Sequence, residues 1–187
     1  VSQKDLQNTL LSTIESIKQD PTKAHAVFNA TTKLENGVCC SANVRDFPTL
    51  TIDEPPALGG NDSGMNPVEL VLAALGTCQE IMFAAYAAVI DVQLDEVSVN
   101  VSGDLDLHGL FALDESTPAG FHTIEFDVHI QSPSAPETVR QLINMVQAHC
   151  PVLDIVRRPV TTNGRAHLNG AMIYDSQRDV AGAVAAD

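Results

Sequence analysis

The stretch from Pro67 to Ile90 is apolar almost without interruption, and it constrains the rest of the chain. As a helix it is about long enough to span a bilayer. Gln79 and Glu80 sit in its middle, however, and Glu69 lies near its start. Ionisable groups at bilayer depth are costly. A helix apolar nearly all round is more simply one buried on all sides. In a chain of 187 residues, full burial calls for a second subunit to help cover it. The start is well marked: Asn66 serves as N-cap, Pro67 as the first helical residue, and Glu69 completes a capping box. The spacing predicts a helix running to about Val89.

Elements on either side follow from local signals. Leu6, Leu10, Ile14 and Ile17 give Ser2–Gln19 the spacing of a short amphipathic helix, which Asp20-Pro21 ends. Ala24–Leu34 and Val38–Arg45 flank Asn36-Gly37, the signal for a hairpin with a type I′ turn. Thr49–Asp53 alternates as a third strand, and Pro55–Gly64 is a loop rich in Pro and Gly. Val97–Val101 and Thr123–Ile130 read as strands, with Asp104–Gly120 a loop or a ragged strand end between them. Ser134-Ala135-Pro136-Glu137 reads as another capping box, opening a helix whose stripe is Val139, Ile143, Val146 and Cys150. Pro151 interrupts it, with a further turn through Val156, and Pro159–Leu168 forms a last strand. Clustered strands with separated helices predict an α+β fold, helices packed on an antiparallel sheet. The chain divides into a helical extension over 1–22, a domain over 23–170 and a tail over 171–187.

Composition excludes some function classes. The formal net charge of −14 argues against nucleic acid or an anionic membrane as partner, because both need a basic surface. Val1–Leu10 lacks a basic segment followed by an apolar one, so no secretory leader is expected there. Four cysteines are too few for a secreted disulfide scaffold. The expected compartment is a reducing cytoplasm, where a cysteine pair is more often redox-active than structural.

Cys78 lies about three turns into the long helix, among Val71, Ala74, Leu75, Ile81, Met82 and Ala85. Its bland reading is an inert core thiol, since free Cys is among the most buried residue types. Burial raises a thiol pKa, and the helix dipole offers little this far from the N-terminus. A reactive Cys78 therefore needs a cation brought to it. Arg45, at a strand end, is one candidate, and Arg157 and Arg158 compete with it. Cys150 ends the second helix on its apolar stripe and is equally readable as a core residue. Cys39 and Cys40 are adjacent on a strand, so their thiols point to opposite faces. His149 is a candidate base or a plain surface residue. No Cys-x-x-Cys spacing or His-Glu-x-x-His motif occurs, so no metal site is expected.

Taken together, these residues resemble the OsmC/Ohr family of osmotically inducible and organic-hydroperoxide-resistance proteins. The likeness runs from Ala24 to Leu168. It is carried by Arg45, Asp53-Glu54-Pro55, Gly59-Gly60, Asn66-Pro67-Val68-Glu69-Leu70, Ala73-Ala74-Leu75-Gly76-Thr77-Cys78 and His149-Cys150-Pro151-Val152. The resemblance implies an OsmC-like fold and an intertwined homodimer with long helices at its centre. It also implies a peroxidatic Cys78, a resolving Cys150 and Arg45 near the thiolate. The implied function is antioxidant defence: a thiol-dependent peroxidase reducing organic hydroperoxides, recycled by an external dithiol, with no metal, flavin or haem. In the hydroperoxide-reducing branches a glutamate directly after Asn-Pro holds the arginine. Val68 stands at that position here, so Glu54 and Glu69 become the candidates to orient Arg45. The departure also opens an alternative, a non-catalytic small-molecule-binding protein of the same fold with an inert cysteine pair. A third reading makes Cys78–Cys150 a structural staple.

Overall fold

The computed structural model describes residues 1–177, so most of the expected tail, 178–187, lies outside the described residues. The chain forms two compact units, Val1–Leu153 and a second from Asp154 onward.

In the first unit, α1 (Gln3–Gln19) opens on a capping box: the Ser2 side chain accepts from the Asp5 N–H and the Asp5 side chain accepts from the Ser2 N–H. The Gln3 side-chain amide donates to Val92 O at 2.8 Å and to Ala87 O at 3.4 Å. The Ala87 carbonyl lies in the last turn of the long helix, where carbonyls lack intrahelical partners. After a 3₁₀ turn at Pro21–Ala24, regular strand begins only at Thr31, later than the pattern predicts. β1 (Thr31–Asn36), β2 (Cys39–Asn43) and β3 (Leu50–Ile52) form an antiparallel sheet in that order. Asn36 pairs with Cys39, which makes Gly37 and Val38 the central turn residues. Of these only Gly37 has positive φ, at 58°. The expected I′ geometry, with positive φ at both central residues, is therefore not met here. Arg45 is not on a strand; it sits in the following turn with φ 50°.

β3 feeds a loop organised by one carboxylate. Asp53 is buried and accepts from the backbone N–H groups of Glu54 at 2.9 Å, Asn61 at 3.0 Å and Ser63 at 3.2 Å. A Cβ at Gly60 would collide with the Glu54 carbonyl, and one at Gly64 with the Thr51 carbonyl. The Asn61 N–H, against the opposing effect of burial and with help from Ser63 and Glu54, holds the Asp53 carboxyl below the ordinary carboxylate range. A depressed native pKa adds stability that is present above the unfolded value, about 3.9, and lost as pH falls through the native one. Asp53→Asn is therefore expected to lower the melting temperature at pH 7, and the gap from the parent to shrink below about pH 4. Thermal melts from pH 3 to 7 check this.

α2 (Pro67–Val89) starts and ends as the sequence predicts. Asn66 Oδ1 accepts from the Glu69 N–H at 2.9 Å, and Glu69 Oε2 accepts from the Asn66 N–H at 2.8 Å. The helix is long and apolar enough to cross a membrane, yet it packs on α1, β4 and α4. One stripe, Leu75, Gly76, Gln79, Phe83, Ala87 and Ala88, is buried. The opposite face is not: Ile81 is 67% exposed, and Val71 is also exposed. Burial on all sides is therefore not met within one chain. Gly76 permits close approach to the sheet, since a Cβ there would stand 3.3 Å from Val101 Cγ2.

β4 (Glu96–Leu105) and β5 (Phe121–Gln131) pair antiparallel, each longer than its apolar alternation suggests. Val97, Val99 and Val101 stand opposite Ile130, Val128 and Phe126, the cross-strand pairs of an inward face. The connection expected to be a loop or a ragged strand end takes in the end of β4, to Leu105, and a short helix, α3 (Leu107–Leu110). α4 (Pro136–His149) begins without the expected capping box, because Ala135 occupies the N-cap and has no side-chain acceptor. α5 (Pro151–Arg157) follows directly. Two buried clusters hold the unit together. Phe83, Ala87, Val92, Leu142 and Val146 form one; Leu75, Cys150 and Leu153 form the other.

In the second unit, a hairpin of β6 (Arg165–Leu168) and β7 (Ala171–Asp175) replaces the single strand expected over 159–168. Its turn, Asn169-Gly170, has positive φ at both residues, 50° and 87°. That is the I′ signature, and it occurs here instead of at Asn36-Gly37.

Candidate functional site

Cys78 and Cys150 meet across α2 and α4. α2 presents Cys78, half-buried, beside the buried stripe. Cys150 is the C-cap of α4, 1% exposed, with its N–H donating to Val146 O. Pro151 cannot continue the α4 hydrogen-bond ladder, which fixes the chain break beside the thiol. The two Sγ atoms are 3.5 Å apart. A disulfide is about 2.05 Å long, so the sulfurs need to close by roughly 1.5 Å.

Burial pushes the Cys78 thiol up. A hydrogen bond from the Val152 N–H to its sulfur works in the opposite direction, and the neighbouring Cys150 pushes it further up. Within one chain Arg45 is exposed, its guanidinium 4.5 Å from the centroid of the Phe47 ring. Glu54 accepts from Asn66 Nδ2 at 3.4 Å, and Glu69 is used in the α2 cap. Both acids thus sit at the start of α2. Glu69 is nine residues from Cys78, about 14 Å along the axis. His149 lies against Tyr86, ring centroids 6.0 Å apart. Arg158 pairs with Asp154 at 2.6 Å. Cys39 and Cys40 are half-buried on β2. Among the described residues no three His, Cys, Asp or Glu side chains converge as a metal site.

One pair escaped the sequence reading. Gln147 Nε2 donates to Gln79 Oε1 at 3.3 Å. Gln79 is 0% exposed, and its Nε2 has no hydrogen-bond partner among the described residues. A buried donor left unmade costs about 1–3 kcal/mol. The signal was an amide directly after Cys78 in an otherwise apolar helix, with a second amide one turn before Cys150.

A family model described as OsmC-like protein matches residues 59–164, more than half of the chain. The chain belongs to the OsmC-like protein family. The matched segment includes Cys78 and Cys150; Arg45 and Glu54 precede it. This OsmC-like chain is 24% identical over 133 residues to a hydroperoxide reductase of Mycoplasma genitalium, covering 70% of this chain and 86% of that one. Solved structures share the fold. An OsmC-like protein from Mycoplasma pneumoniae superposes with a TM-score of 0.61 at 19% identity, covering 71% of this chain and 88% of that one. An organic hydroperoxide resistance protein OsmC from Legionella pneumophila gives 0.55 at 23% identity, covering 71% and 92%.

Proposed function

We propose that this OsmC-like protein is a thiol-dependent peroxidase that reduces organic hydroperoxides in the cytoplasm, with Cys78 as nucleophile and Cys150 as resolving thiol. The observation that carries the reading is the 3.5 Å approach of two free thiols, one half-buried and one buried, at the meeting of two helices. The Cys78 thiolate attacks the outer oxygen of R–O–O–H. The O–O bond breaks, sulfur gains OH, and RO⁻ leaves to take a proton as the alcohol. The Cys150 thiolate then attacks the sulfenic sulfur, hydroxide leaves as water, and the Cys78–Cys150 disulfide forms. An external dithiol returns two electrons and two protons. The apolar surroundings of Cys78 favour an alkyl chain over hydrogen peroxide. The name of the M. genitalium relative supports the reaction class.

The cation comes from a homodimer. Leu34 and Leu50 of the β1–β3 sheet, Val38 in its first turn, and Val71 and Ile81 of α2 are exposed in a single chain. Burial of these surfaces against a second copy brings Arg45 of one chain to Cys78 of the other, where it favours the thiolate and the departing alkoxide. Glu54 or Glu69 orients that arginine in place of the glutamate missing at Val68. Arg45→Met is expected to raise the Cys78 pKa by about one unit, about 1.4 kcal/mol, and to slow peroxide reduction at least roughly tenfold. Thiolate absorbance against pH and stopped-flow rates check both. Co-expressed Arg45→Met and Cys78→Ser chains should regain activity in mixed dimers, and their failure to do so would remove the shared site.

The decisive experiment is thiol counting. The reduced protein has four free thiols. Cumene hydroperoxide is expected to remove two of them per equivalent consumed, and dithiothreitol to restore both. The upward shift of Cys78 within one chain and Val68 in the glutamate position favour a second reading, a binding protein with an inert thiol. No thiol loss would select it.

A further inference from the structure

We propose that Gln79 and Gln147 are positioning residues for the sulfur–sulfur step, a buried amide latch that fixes the register of α4 against α2. The role in turnover rests on the peroxidase reading; the latch itself concerns only how closely Cys150 approaches Cys78.

Two observations carry it. The first is placement. Gln79 directly follows Cys78, and Gln147 lies one helical turn before Cys150. Their hydrogen bond therefore ties together the two points of the helices nearest the sulfurs. Apart from the Tyr86–His149 ring contact, much of the described α2–α4 contact is apolar, built from groups such as Phe83, Leu142 and Val146. Apolar burial is non-directional, so it resists separation of the helices more than sliding along them. A slide of one residue is about 1.5 Å, as large as the closure the disulfide requires. A hydrogen bond is directional and penalises that slide.

The second observation is the unmade donor. Gln79 Nε2 is buried with no partner among the described residues. A helix interface selected for stability alone would hold Leu or Met at 79, with similar volume and no orphaned amide. A buried polar residue that lowers stability while fixing helix register is an established use of such groups. The glutamine at 79 fits that use, and its proximity to the cysteines says which register matters.

The test separates sulfenate formation from its resolution. Reduced protein is mixed with cumene hydroperoxide in the presence of dimedone, which traps the Cys78 sulfenic acid before Cys150 reaches it. In Gln79→Leu, the ratio of dimedone adduct to disulfide is expected to rise about tenfold or more, since an ångström of misplacement in a reacting pair costs up to about a hundredfold. The melting temperature is expected to stay level or rise, which loss of an ordinary structural contact would not produce. Gln147→Leu should behave alike, and the double variant should be no worse than either single one. An unchanged ratio, or additive effects in the double variant, overturns the latch. If Gln79→Leu does not fold, Gln147→Leu, at a half-buried position, carries the test alone. If the parent protein does not react with hydroperoxide, the peroxidase reading fails and the latch is read with diamide, a two-electron thiol oxidant. Disulfide formation at least about tenfold slower in the variants supports the latch, and equal rates overturn it.

Discussion

Cys78→Ser is expected to lower the rate of organic hydroperoxide reduction by about three orders of magnitude or more, the scale seen when a covalent nucleophile is removed. A serine hydroxyl in the same apolar setting has no accessible anion near neutral pH, whereas a thiol needs only one nearby cation to ionise. Cys150→Ser should give a different result. The first step proceeds once and stops, leaving a Cys78 sulfenic acid that gains one oxygen in mass and accepts dimedone. The two variants together separate catalysis from a structural staple. Under the staple reading both would lower the melting temperature of the oxidised protein equally, and neither would alter peroxide consumption. Coupled peroxide-consumption assays and intact-protein mass spectra read all three outcomes. If Cys78→Ser consumes thiols as fast as the parent, the nucleophile is one of the other three cysteines.

Phe83→Ala is expected to destabilise the fold by about 3–5 kcal/mol, read as a fall in the urea midpoint with an unchanged slope. Phe83 is fully buried where α2 meets α4, in contact with Ala87, Val92, Leu142 and Val146. Domains of this size are stable by about 5–15 kcal/mol, so the loss is a large fraction of the total. The same cluster lies along the helix pair that carries the two cysteines. A loosened cluster should therefore also widen the thiol separation and slow disulfide closure. A fall below about 1 kcal/mol would mean that neighbouring side chains fill the cavity.

Signals confined to a few neighbouring residues read directly into structure. Asn66, Pro67 and Glu69 fixed the start of α2 because capping is a local reaction of side chains with the first N–H groups. The same logic failed at Ser134, where the chain enters α4 one residue later and Ala135 takes the cap position. Asn-Gly marked a real turn at 36–37, but the strand register moved it one residue on, and the I′ geometry went to Asn169-Gly170. The inward face of β4 and β5 was legible from alternation, though its length was not, because each strand extends as far as the other continues to pair with it. The candidate site was legible as residue types. The meeting of Cys78 with Cys150, 72 residues apart, depends on how two helices cross, which neither segment encodes alone. Gln79 was visible only as a break in apolarity until its contact with Gln147 gave it a partner.

A folded chain that leaves Ile81, Val71, Leu34 and Leu50 in water has only partly completed its burial of apolar surface. In the proposed homodimer the remainder is completed between molecules, so the free energy holding each chain together includes a term that grows with the logarithm of its own concentration. Newly made chains reach that state by encounter, and until then they compete with nonspecific clumping. Abundance in the cell is then itself a stabilising variable, and raised expression would increase not only the number of these molecules but the durability of each.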